Sequence, residues 1–334
     1  MSAAAELAGD DRLARFETFN ALGGKFRVAV TGVCNLRCFF CHNEAMGPMG
    51  ARIDEVLSPS DLVAICDAYA ALGGKQINIT GGEPMARPDL PELLQAIDKR
   101  ATRLVLNSNG LLHERLTSIP RVTAVDTILV SLHTLDDAVF RRDLGGKSTD
   151  KLTQSILALR AHGYQVKLNL SLGPHNAAGI EPVVRWAHGH GLDLKIISLV
   201  RPNSEPDFYH GSWVDPARLE ALLDSLGTRG DTREQLGGRI TEWRAERSTL
   251  ELKNIARGRL RTDFCAGCAH ERQCGEGIYG LRLGIDGVAK PCLLRRERFS
   301  RLDGSRSWRE QILDLVASMV GDFHNARFET GAPE

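Results

Sequence analysis

The stretch Cys34-Asn-Leu-Arg-Cys38-Phe-Phe-Cys41 places three cysteines close together, shortly after the apolar segment 26–30. Thiolates grouped in this way suit a soft metal, and iron–sulfur clusters are held by runs of this kind. A 4Fe–4S cluster bound here would keep one iron without a protein ligand, and a small molecule could chelate that iron. Short cysteine spacings are also typical of zinc sites, so the triad alone leaves open a zinc knuckle or a chance group of buried cysteines.

A second motif, Thr80-Gly81-Gly82-Glu83-Pro84, follows the next predicted strand. Two glycines let the backbone approach a ligand closely, and a carboxylate beside them can accept a hydrogen bond from an ammonium group. Taken alone, the motif is equally typical of an ordinary turn between a strand and a helix.

Together, in this order on successive strands, the two motifs resemble those of the radical S-adenosylmethionine (SAM) superfamily. The resemblance implies that Cys34, Cys38 and Cys41 are catalytic ligands of a 4Fe–4S cluster, whose open iron chelates the amino and carboxylate groups of SAM. It also implies that the Gly-Gly-Glu motif at 81–83 contacts the SAM amino group. Reductive cleavage of SAM then gives methionine and a 5′-deoxyadenosyl radical, which abstracts hydrogen from a substrate.

Strand and helix patterns alternate up to about residue 200. The predicted helices lie after Ser58, which can cap one, and near Leu90–Lys99, Ala138–Arg142, Lys151–His162 and Ile180–His190. The predicted strands are Lys25–Val30, Gln76–Thr80, Leu104–Asn107, Thr127–Leu132, Val166–Leu172 and Leu194–Leu199. Six such units predict an α/β fold, a partial (β/α)6 TIM-type barrel built on a parallel sheet.

Beyond residue 200 the alternation stops. Helices are predicted at Pro216–Leu226 and Ile240–Arg247, and a last one near Trp308–Val320. Asp286-Gly287, between two apolar runs, predicts a β-hairpin. We therefore expect an N-terminal lead-in at 1–24, the barrel at 25–200 and a C-terminal auxiliary cluster domain of the twitch type at 201–334.

The C-terminal region holds a second cysteine group, Cys265-x2-Cys268-x5-Cys274-x17-Cys292. Four thiolates could fully ligate another 4Fe–4S cluster, or a structural zinc in a zinc ribbon. Cys66 stands apart from both groups, in a helical pattern with apolar residues on one face. We interpret it as a packing residue.

This region also resembles the GTP 3′,8-cyclase (MoaA) family, through Leu281-Arg-Leu283 and Asp286-Gly287-Val-Ala-Lys-Pro-Cys292. The likeness covers most of residues 25–320. In that family a carboxy-terminal 4Fe–4S cluster faces the first cluster across the barrel and touches the substrate. The resemblance therefore favours a second iron–sulfur cluster over zinc.

Three departures from the MoaA pattern predict a reaction other than GTP cyclisation. The family has three C-terminal cysteines spaced Cys-x2-Cys-x13-Cys, whereas this chain has four and an insertion from His270 to Gly277; its spacing looks more like twitch or SPASM domains. The family's Arg-Leu-Arg is Gly280-Leu281-Arg282 here, so one substrate-binding arginine is missing. The chain also ends without the Gly-Gly tail of MoaA.

Polar side chains end the third and fourth predicted strands, at the edge where barrels build their sites. Ser108 and Asn109 suit ribose hydroxyls, although Asn-Gly pairs are also common in plain turns. Ser131 and His133 point to the same mouth, and His133 fits a substrate ligand, an acid–base group or an ordinary hydrogen-bonded histidine. We expect Ser108, Asn109 and Ser131 to contact SAM.

Three cations are predicted to bind the substrate. Arg27 lies in the first strand, Lys167 in the fifth and Arg282 in the C-terminal hairpin. Their charges suit a phosphate or carboxylate, which a guanidinium can grip with two hydrogen bonds. Most arginines are exposed in folded proteins, so surface or ion-pair roles stay open for Arg27 and Arg282.

The composition describes a globular protein without a nucleic-acid or membrane partner. Lys and Arg together number 42, as do Asp and Glu, so no net charge favours nucleic acid or an anionic membrane. No apolar run approaches the roughly 20 residues of a membrane span. The N-terminal segment carries acids and lacks the apolar core of a signal peptide. We therefore expect a cytoplasmic protein.

These observations predict a MoaA-like radical SAM enzyme acting on a small molecule, namely a nucleotide, nucleoside or sugar derivative. Two 4Fe–4S clusters and SAM are the expected cofactors, with an electron donor such as flavodoxin or ferredoxin. One alternative is a peptide-modifying enzyme of the SPASM or twitch type, but the 33 residues before Cys34 are too few for a peptide-recognition domain. The other is a non-catalytic iron–sulfur or zinc protein, which needs no SAM motif.

Overall fold

Parallel strands alternate with helices in the first part of the chain, as the sequence predicts. The computed structural model describes residues 11–41, 57–199, 214, 216–254, 257–269, 271, 274, 280–293, 295 and 300–330. Within these residues, six parallel strands form the centre of the sheet, β1 to β6: Phe26–Ala29, Gln76–Thr80, Arg103–Ser108, Thr127–Ser131, Val166–Leu172 and Asp193–Ser198. The predicted α/β fold with a parallel sheet is confirmed.

Helices connect and flank these strands. In the described part of the chain they are α1 to α9: Asp11–Ala21, Pro59–Ala71, Leu90–Ala96, Glu114–Thr117, Asp137–Val139, Thr149–Ala161, Ile180–Gly189, Ala217–Leu226 and Trp308–Gly321. The predicted cap begins α2: the Ser58 hydroxyl accepts from Asp61 N at 3.2 Å, and the Asp61 carboxylate accepts from Ser58 N at 2.9 Å. This capping box satisfies two backbone donors at the start of the helix. Where a longer helix was predicted, α5 continues into a π-helical turn at Phe140–Leu144.

The second part of the chain adds strands to both edges of this sheet. The described strands after β6 are β7 to β14: Thr228–Gln235, Gly238–Arg244, Thr249–Lys253, Arg259–Arg261, Leu281–Leu283, Val288–Lys290, Ser300–Arg301 and Arg327–Glu329. β9 pairs in parallel with β6 and carries the antiparallel β8 and β7, whereas β11 pairs in parallel with β1 and carries β12 and β13. Residues on either side of position 200 therefore share one sheet.

The helix predicted at Ile240–Arg247 is wrong, because residues 238–244 form β8. The apolar Ile240 and Trp243 lie three residues apart, which fits one face of a helix as well as a strand. β-Branched and aromatic side chains pack well on a sheet, and pairing with β7 and β9 selects the strand. The predicted hairpin at Asp286-Gly287 is confirmed, since β11 and β12 are antiparallel around it.

The turn between β7 and β8 meets the segment that precedes β1. Leu236 N donates a hydrogen bond of 2.8 Å to Leu22 O. A Cβ placed on Gly23 would lie 3.4 Å from the Cβ of Gln235. The β7–β8 hairpin therefore contacts the chain just before the amino end of β1.

Buried aromatic rings join the outer helices to the sheet. The Tyr69 ring of α2 lies 5.6 Å from Phe16 of α1 and 5.0 Å from Phe26 of β1, measured between ring centroids. Cys66, on the same helix as Tyr69, is buried in this core, which confirms its interpretation as a packing residue. None of the described helices combines the length and the apolar content needed to cross a membrane.

Candidate functional site

A cavity of about 590 Å³ lies inside the barrel and reaches the cysteine loop. Its wall consists of side chains from the central strands together with side chains from β7, β9 and β11. The structure places at this one cavity the residues predicted for the first cluster, for SAM and for substrate: Cys34, Cys38, Cys41, Gly81, Gly82, Glu83, Ser108, Asn109, Ser131, Arg27, Lys167 and Arg282.

The loops after β1 and β2 run side by side at the edge of this cavity. Gly82 N donates a hydrogen bond of 2.8 Å to Thr31 O, and Glu83 N donates one of 2.7 Å to Val33 O. A Cβ on Gly81 would lie 2.5 Å from Thr31 O, and one on Gly82 would lie 2.3 Å from Val33 O. Such contacts are too short for a side chain, so the two glycines allow the loops to approach.

The three thiols of the triad lie within electrostatic reach of one another. Burial first, and then the charges of Cys41 and Cys34, raise the pKa of Cys38 to about 12. The pKa of Cys34 is also raised, first by desolvation and then by the charges of Glu83 and Cys41, against a hydrogen bond from Leu36 N. Within the described residues, no three Cys, His, Asp or Glu side chains converge closely enough to hold a metal.

Glu83 is almost fully buried, at 1% exposure, and it joins the ends of β2 and β3. Its Oε1 accepts hydrogen bonds from Met85 N at 2.9 Å and from Ser108 Oγ at 2.8 Å, while Oε2 accepts from Asn109 N at 2.7 Å. Burial raises its pKa, and these three hydrogen bonds oppose that change. Sequence reasoning assigned Glu83 to SAM and missed this structural task.

Asn109 extends the connection to the cysteine loop. Its Nδ2 donates a hydrogen bond of 2.6 Å to Asn35 Oδ1, and its Oδ1 accepts one of 3.1 Å from Leu111 N. The second bond is typical of an asparagine turn, the alternative that the sequence left open. The structure therefore gives Asn109 a structural role at the cavity wall.

His133 is a buried, hydrogen-bonded histidine beside the cysteine loop. Its Nδ1 accepts a hydrogen bond of 3.0 Å from Ser171 N, and its ring lies 5.0 Å from that of Phe40. Burial, followed by the charge of His175, lowers the pKa of His133 to about 3. It therefore stays neutral at physiological pH. This agrees with the ordinary hydrogen-bonded histidine, one of the three roles that the sequence left open for His133.

The predicted substrate cations lie on two parts of the cavity wall. Arg27 and Arg282 are direct neighbours in the parallel pairing of β1 with β11, and both are buried. Lys167 lies on the other side, where its Nζ is 3.0 Å from Glu251 Oε2. Neither arginine is an exposed surface residue, so the surface alternative, though not the ion-pair alternative, is wrong for both.

More charged residues line the cavity than the sequence analysis singled out. Lys195 on β6 and Lys253 on β9 are buried in the wall, and Arg233 reaches it from β7. Glu251 on β9 lies among them. Of these four residues, Lys195 was the one that a local signal could have identified. It stands between apolar residues in a predicted buried strand, Leu194-Lys195-Ile196.

Comparison with known proteins identifies the family. The model of the radical SAM superfamily matches residues 28–187. A probable GTP 3′,8-cyclase of Methanothermobacter marburgensis is 30% identical over 278 residues, which cover 81% of this chain and 84% of that protein. The chain belongs to the radical SAM superfamily. A GTP 3′,8-cyclase of Rhizobium etli is also 30% identical to this radical SAM protein, over 79% of this chain and 76% of the relative.

Two solved structures share the fold of this radical SAM protein. Streptococcus suis SuiB bound to S-adenosylmethionine matches with a TM-score of 0.60 and 15% identity, over 92% of this chain and 71% of that one. The anSMEcpe structure with bound AdoMet matches with a TM-score of 0.53 and 12% identity, over 86% and 79%. At these identities the likeness concerns the fold alone, and it confirms the partial TIM-type barrel.

Membership of the superfamily makes this chain an enzyme with a 4Fe–4S cluster and SAM as its cofactors. The triad fits the cluster by its chemistry, because one loop at the cavity supplies three thiols, the charge of one thiolate opposes ionisation of the others, and bound metal favours the thiolate form. Phe39 and Phe40, whose rings lie 5.1 Å apart, stand between Cys38 and Cys41 in the sequence.

The second cysteine group is largely buried. Cys265, Cys274 and Cys292 are buried, and Cys268 is half-buried. Cys268 N donates a hydrogen bond of 3.1 Å to Cys265 O, which makes a tight turn between these two residues. Leu293 follows Cys292 and lines the cavity that the triad also lines. Of the insertion at 270–277, Glu271 and Cys274 lie within the described residues.

Proposed function

We propose that this radical SAM enzyme acts on a small molecule that carries a phosphate or carboxylate, namely a nucleotide or a derivative of a nucleoside or sugar, in a reaction different from GTP 3′,8-cyclisation. The observation that carries the proposal is the positively charged cavity, which is lined by the cysteine triad at one place and by buried cations at others. The described lining residues include nine lysines and arginines against two glutamates. Such a field attracts and holds anions.

The first cofactor site consists, in this proposal, of Cys34, Cys38 and Cys41. Gly81 and Gly82 let the SAM-binding loop lie against the cysteine loop, while Glu83 holds Ser108 and Asn109 at the cavity wall. Ser131 contributes a hydroxyl from the end of β4. When a reduced 4Fe–4S cluster and SAM are bound, they supply a 5′-deoxyadenosyl radical that abstracts hydrogen from the substrate.

Arg27, Arg282 and Lys167 are the proposed substrate ligands. Arg27 and Arg282 stand side by side on adjacent strands, so their guanidinium groups can grip one phosphate or carboxylate together. Lys167 comes from β5 and supplies a cation from another part of the wall. Burial of Arg27 and Arg282, and partial burial of Lys167, lowers the local dielectric and strengthens their attraction for an anion.

A difference at Gly280 supports a substrate other than GTP. The GTP 3′,8-cyclase pattern has an arginine there, two residues before the arginine at the position of Arg282. A Cβ on Gly280 would lie 2.7 Å from Lys25 O, and Leu281 N donates a hydrogen bond of 3.0 Å to the same oxygen. Any side chain at 280 would have to displace this strand contact.

We also propose an auxiliary 4Fe–4S cluster held by Cys265, Cys268, Cys274 and Cys292. Three of the four thiols are buried, and Leu293, the neighbour of Cys292, lines the cavity that the triad also lines, which supports a cluster close to the substrate. The regions 25–200 and 201–334 would then be the barrel and the auxiliary domain, joined through one sheet. The eight cysteines, all of them described residues, form no disulfide bond, which suits a reducing cytoplasm with flavodoxin or ferredoxin as electron donor.

A substrate screen tests this proposal. The reconstituted enzyme would be incubated anaerobically with SAM, dithionite and candidate nucleotides, nucleosides, sugar phosphates and peptides, and 5′-deoxyadenosine would be measured by chromatography. We expect an anionic small molecule to stimulate 5′-deoxyadenosine formation, and we expect GTP to give no cyclised product. Stimulation by peptides alone would replace the proposal with a peptide-modifying enzyme.

A further inference from the structure

One carboxylate stands among the cations of the cavity wall. Glu251 lies on β9, directly beside Lys195 of β6 in the parallel register. Its Oε2 is 3.0 Å from Lys167 Nζ, and its Oε1 accepts a hydrogen bond from Arg233. The residue is 6% exposed. Cations from three different strands therefore meet at one buried carboxylate.

Glu251 is ionised at physiological pH. Burial alone would raise its pKa, but the charges of Lys167, Lys195 and Arg233 outweigh burial and lower the pKa to about 2. The other acidic residue among the described lining residues is Glu83. Its two carboxylate oxygens accept hydrogen bonds from the ends of β2 and β3. Glu251 is thus the carboxylate that faces the cationic part of the wall.

We infer that Glu251 sets the charge of the anion that the cavity accepts, favouring a ligand with one phosphate or carboxylate over a polyphosphate. The inference rests on the proposed function, because it describes the same substrate site. Glu251 already neutralises part of the charge of Lys167 and Arg233. Its fixed negative charge repels each further charge on a ligand, and this repulsion is strong where water is scarce.

A purely structural role for Glu251 predicts a different result. If the carboxylate served merely to hold three cations in place, its removal would let them separate and would weaken the binding of every anion. If it selects by charge, its removal strengthens the binding of highly charged anions more than that of simple ones. The ratio of two affinities therefore separates the two roles.

Glu242 provides a matched control. It lies directly opposite Glu251 in the pairing of β8 with β9, and it also forms an ion pair with Arg233, at 3.1 Å. Its side chain is 19% exposed, against 8% for Glu251, and among the described residues the cavity is lined by Glu251 and not by Glu242. Glu242→Gln removes the same charge at the same arginine, one strand farther from the ligand.

The test is calorimetric titration of the full, reconstituted protein with orthophosphate and with tripolyphosphate, at constant ionic strength. We expect wild type to bind the two anions with affinities within about tenfold of each other. Glu251→Gln should raise the affinity for tripolyphosphate on the order of tenfold, and the affinity for orthophosphate much less. Glu242→Gln should keep the wild-type ratio, and Glu251→Asp, which retains the charge, should restore it.

Two results would overturn the inference while leaving the proposed function intact. One is an unchanged or uniformly weakened affinity for both anions in Glu251→Gln. The other is a wild-type affinity for tripolyphosphate that exceeds the affinity for orthophosphate by far more than tenfold. This result needs no variant, so it can be obtained even if Glu251→Gln fails to fold. Failure of wild type to bind either anion would instead refute the anionic substrate, and the role of Glu251 with it.

Discussion

Asn109 Nδ2 donates a hydrogen bond of 2.6 Å to Asn35 Oδ1, which joins the end of β3 to the loop that carries the cysteine triad. Asn109 N donates in turn to Glu83, at the end of β2. The side chains of Asn35, Glu83 and Asn109 therefore connect three neighbouring loops of the barrel. Asn35 follows Cys34 directly in the sequence. The position of the Cys34 thiol therefore depends on Glu83 and Asn109, two residues that were predicted to bind SAM.

Replacing Glu83 by alanine should destabilise these loops as well as weaken SAM binding. The substitution leaves Met85 N, Ser108 Oγ and Asn109 N without their acceptor in a buried place, and each such group costs about 1–3 kcal/mol. Urea unfolding should show a loss of roughly 3 kcal/mol in total. Glu83→Gln keeps one acceptor oxygen and should lose less, so equal losses in both variants would contradict this reading of Glu83.

Gly82→Ala should disturb the contact between the SAM-binding loop and the cysteine loop. The added Cβ would lie 2.3 Å from Val33 O, so one of the two loops must move. We expect the variant to retain less iron after reconstitution and to bind SAM more weakly, as measured by iron analysis and by calorimetry. The control is Gly189→Ala in α7, where an added Cβ meets no described atom within 4 Å. Wild-type iron content and SAM affinity in Gly82→Ala would show that the contact between the two loops does not require a glycine at position 82.

Iron content tests the two cysteine groups separately. Anaerobically reconstituted protein should contain about eight irons, four at each group. Combined replacement of Cys34, Cys38 and Cys41 by alanine should remove about half of this iron and should abolish 5′-deoxyadenosine formation. The control variant Cys66→Ala, which removes a thiol from the hydrophobic core, should retain all of the iron. One zinc with no more than four irons would disprove the auxiliary cluster.

Local sequence was enough to predict the barrel strands and to bring the motif residues to one cavity. The cysteine spacing and the paired glycines are local features, and each limits the backbone strongly. The partners of Glu251 could not be predicted in this way, because the pairing of β9 with β6 joins Lys195 to a residue far along the chain. Strand pairing depends on the whole fold. The same cause explains the wrong helix at Ile240–Arg247.

His133 should not act as an acid–base group in the physiological range. Its lowered pKa, about 3, means that it stays neutral as the pH falls from 8 to 5, whereas an ordinary histidine would gain a proton in that interval. The pH profile of 5′-deoxyadenosine formation in His133→Gln should therefore have the same shape as that of wild type, whatever its height. A limb near pH 6 that disappears in the variant would show that His133 titrates there.

The stability of the protein should depend on Glu251 and on pH together. Its pKa is about 2 in the folded chain against an ordinary value of 4.5, so the unfolded chain takes up a proton first as the pH falls. The contribution of the ionised carboxylate is therefore fully present above about pH 4.5 and is lost as the pH falls towards 2. The difference of about 2.5 pKa units corresponds to roughly 3 kcal/mol.

Urea unfolding of wild type and Glu251→Gln at two pH values measures this contribution. At pH 7 the variant should be less stable by roughly 3 kcal/mol, because Lys167 and Arg233 also lose their buried partner. At pH 3.5 the difference should be smaller by about 1 kcal/mol, since part of the wild-type contribution is already lost. Glu242→Gln, with its more exposed side chain, should cost less than about 1 kcal/mol at pH 7. A difference that stayed constant between the two pH values would mean that the Glu251 carboxylate is not held ionised by these cations.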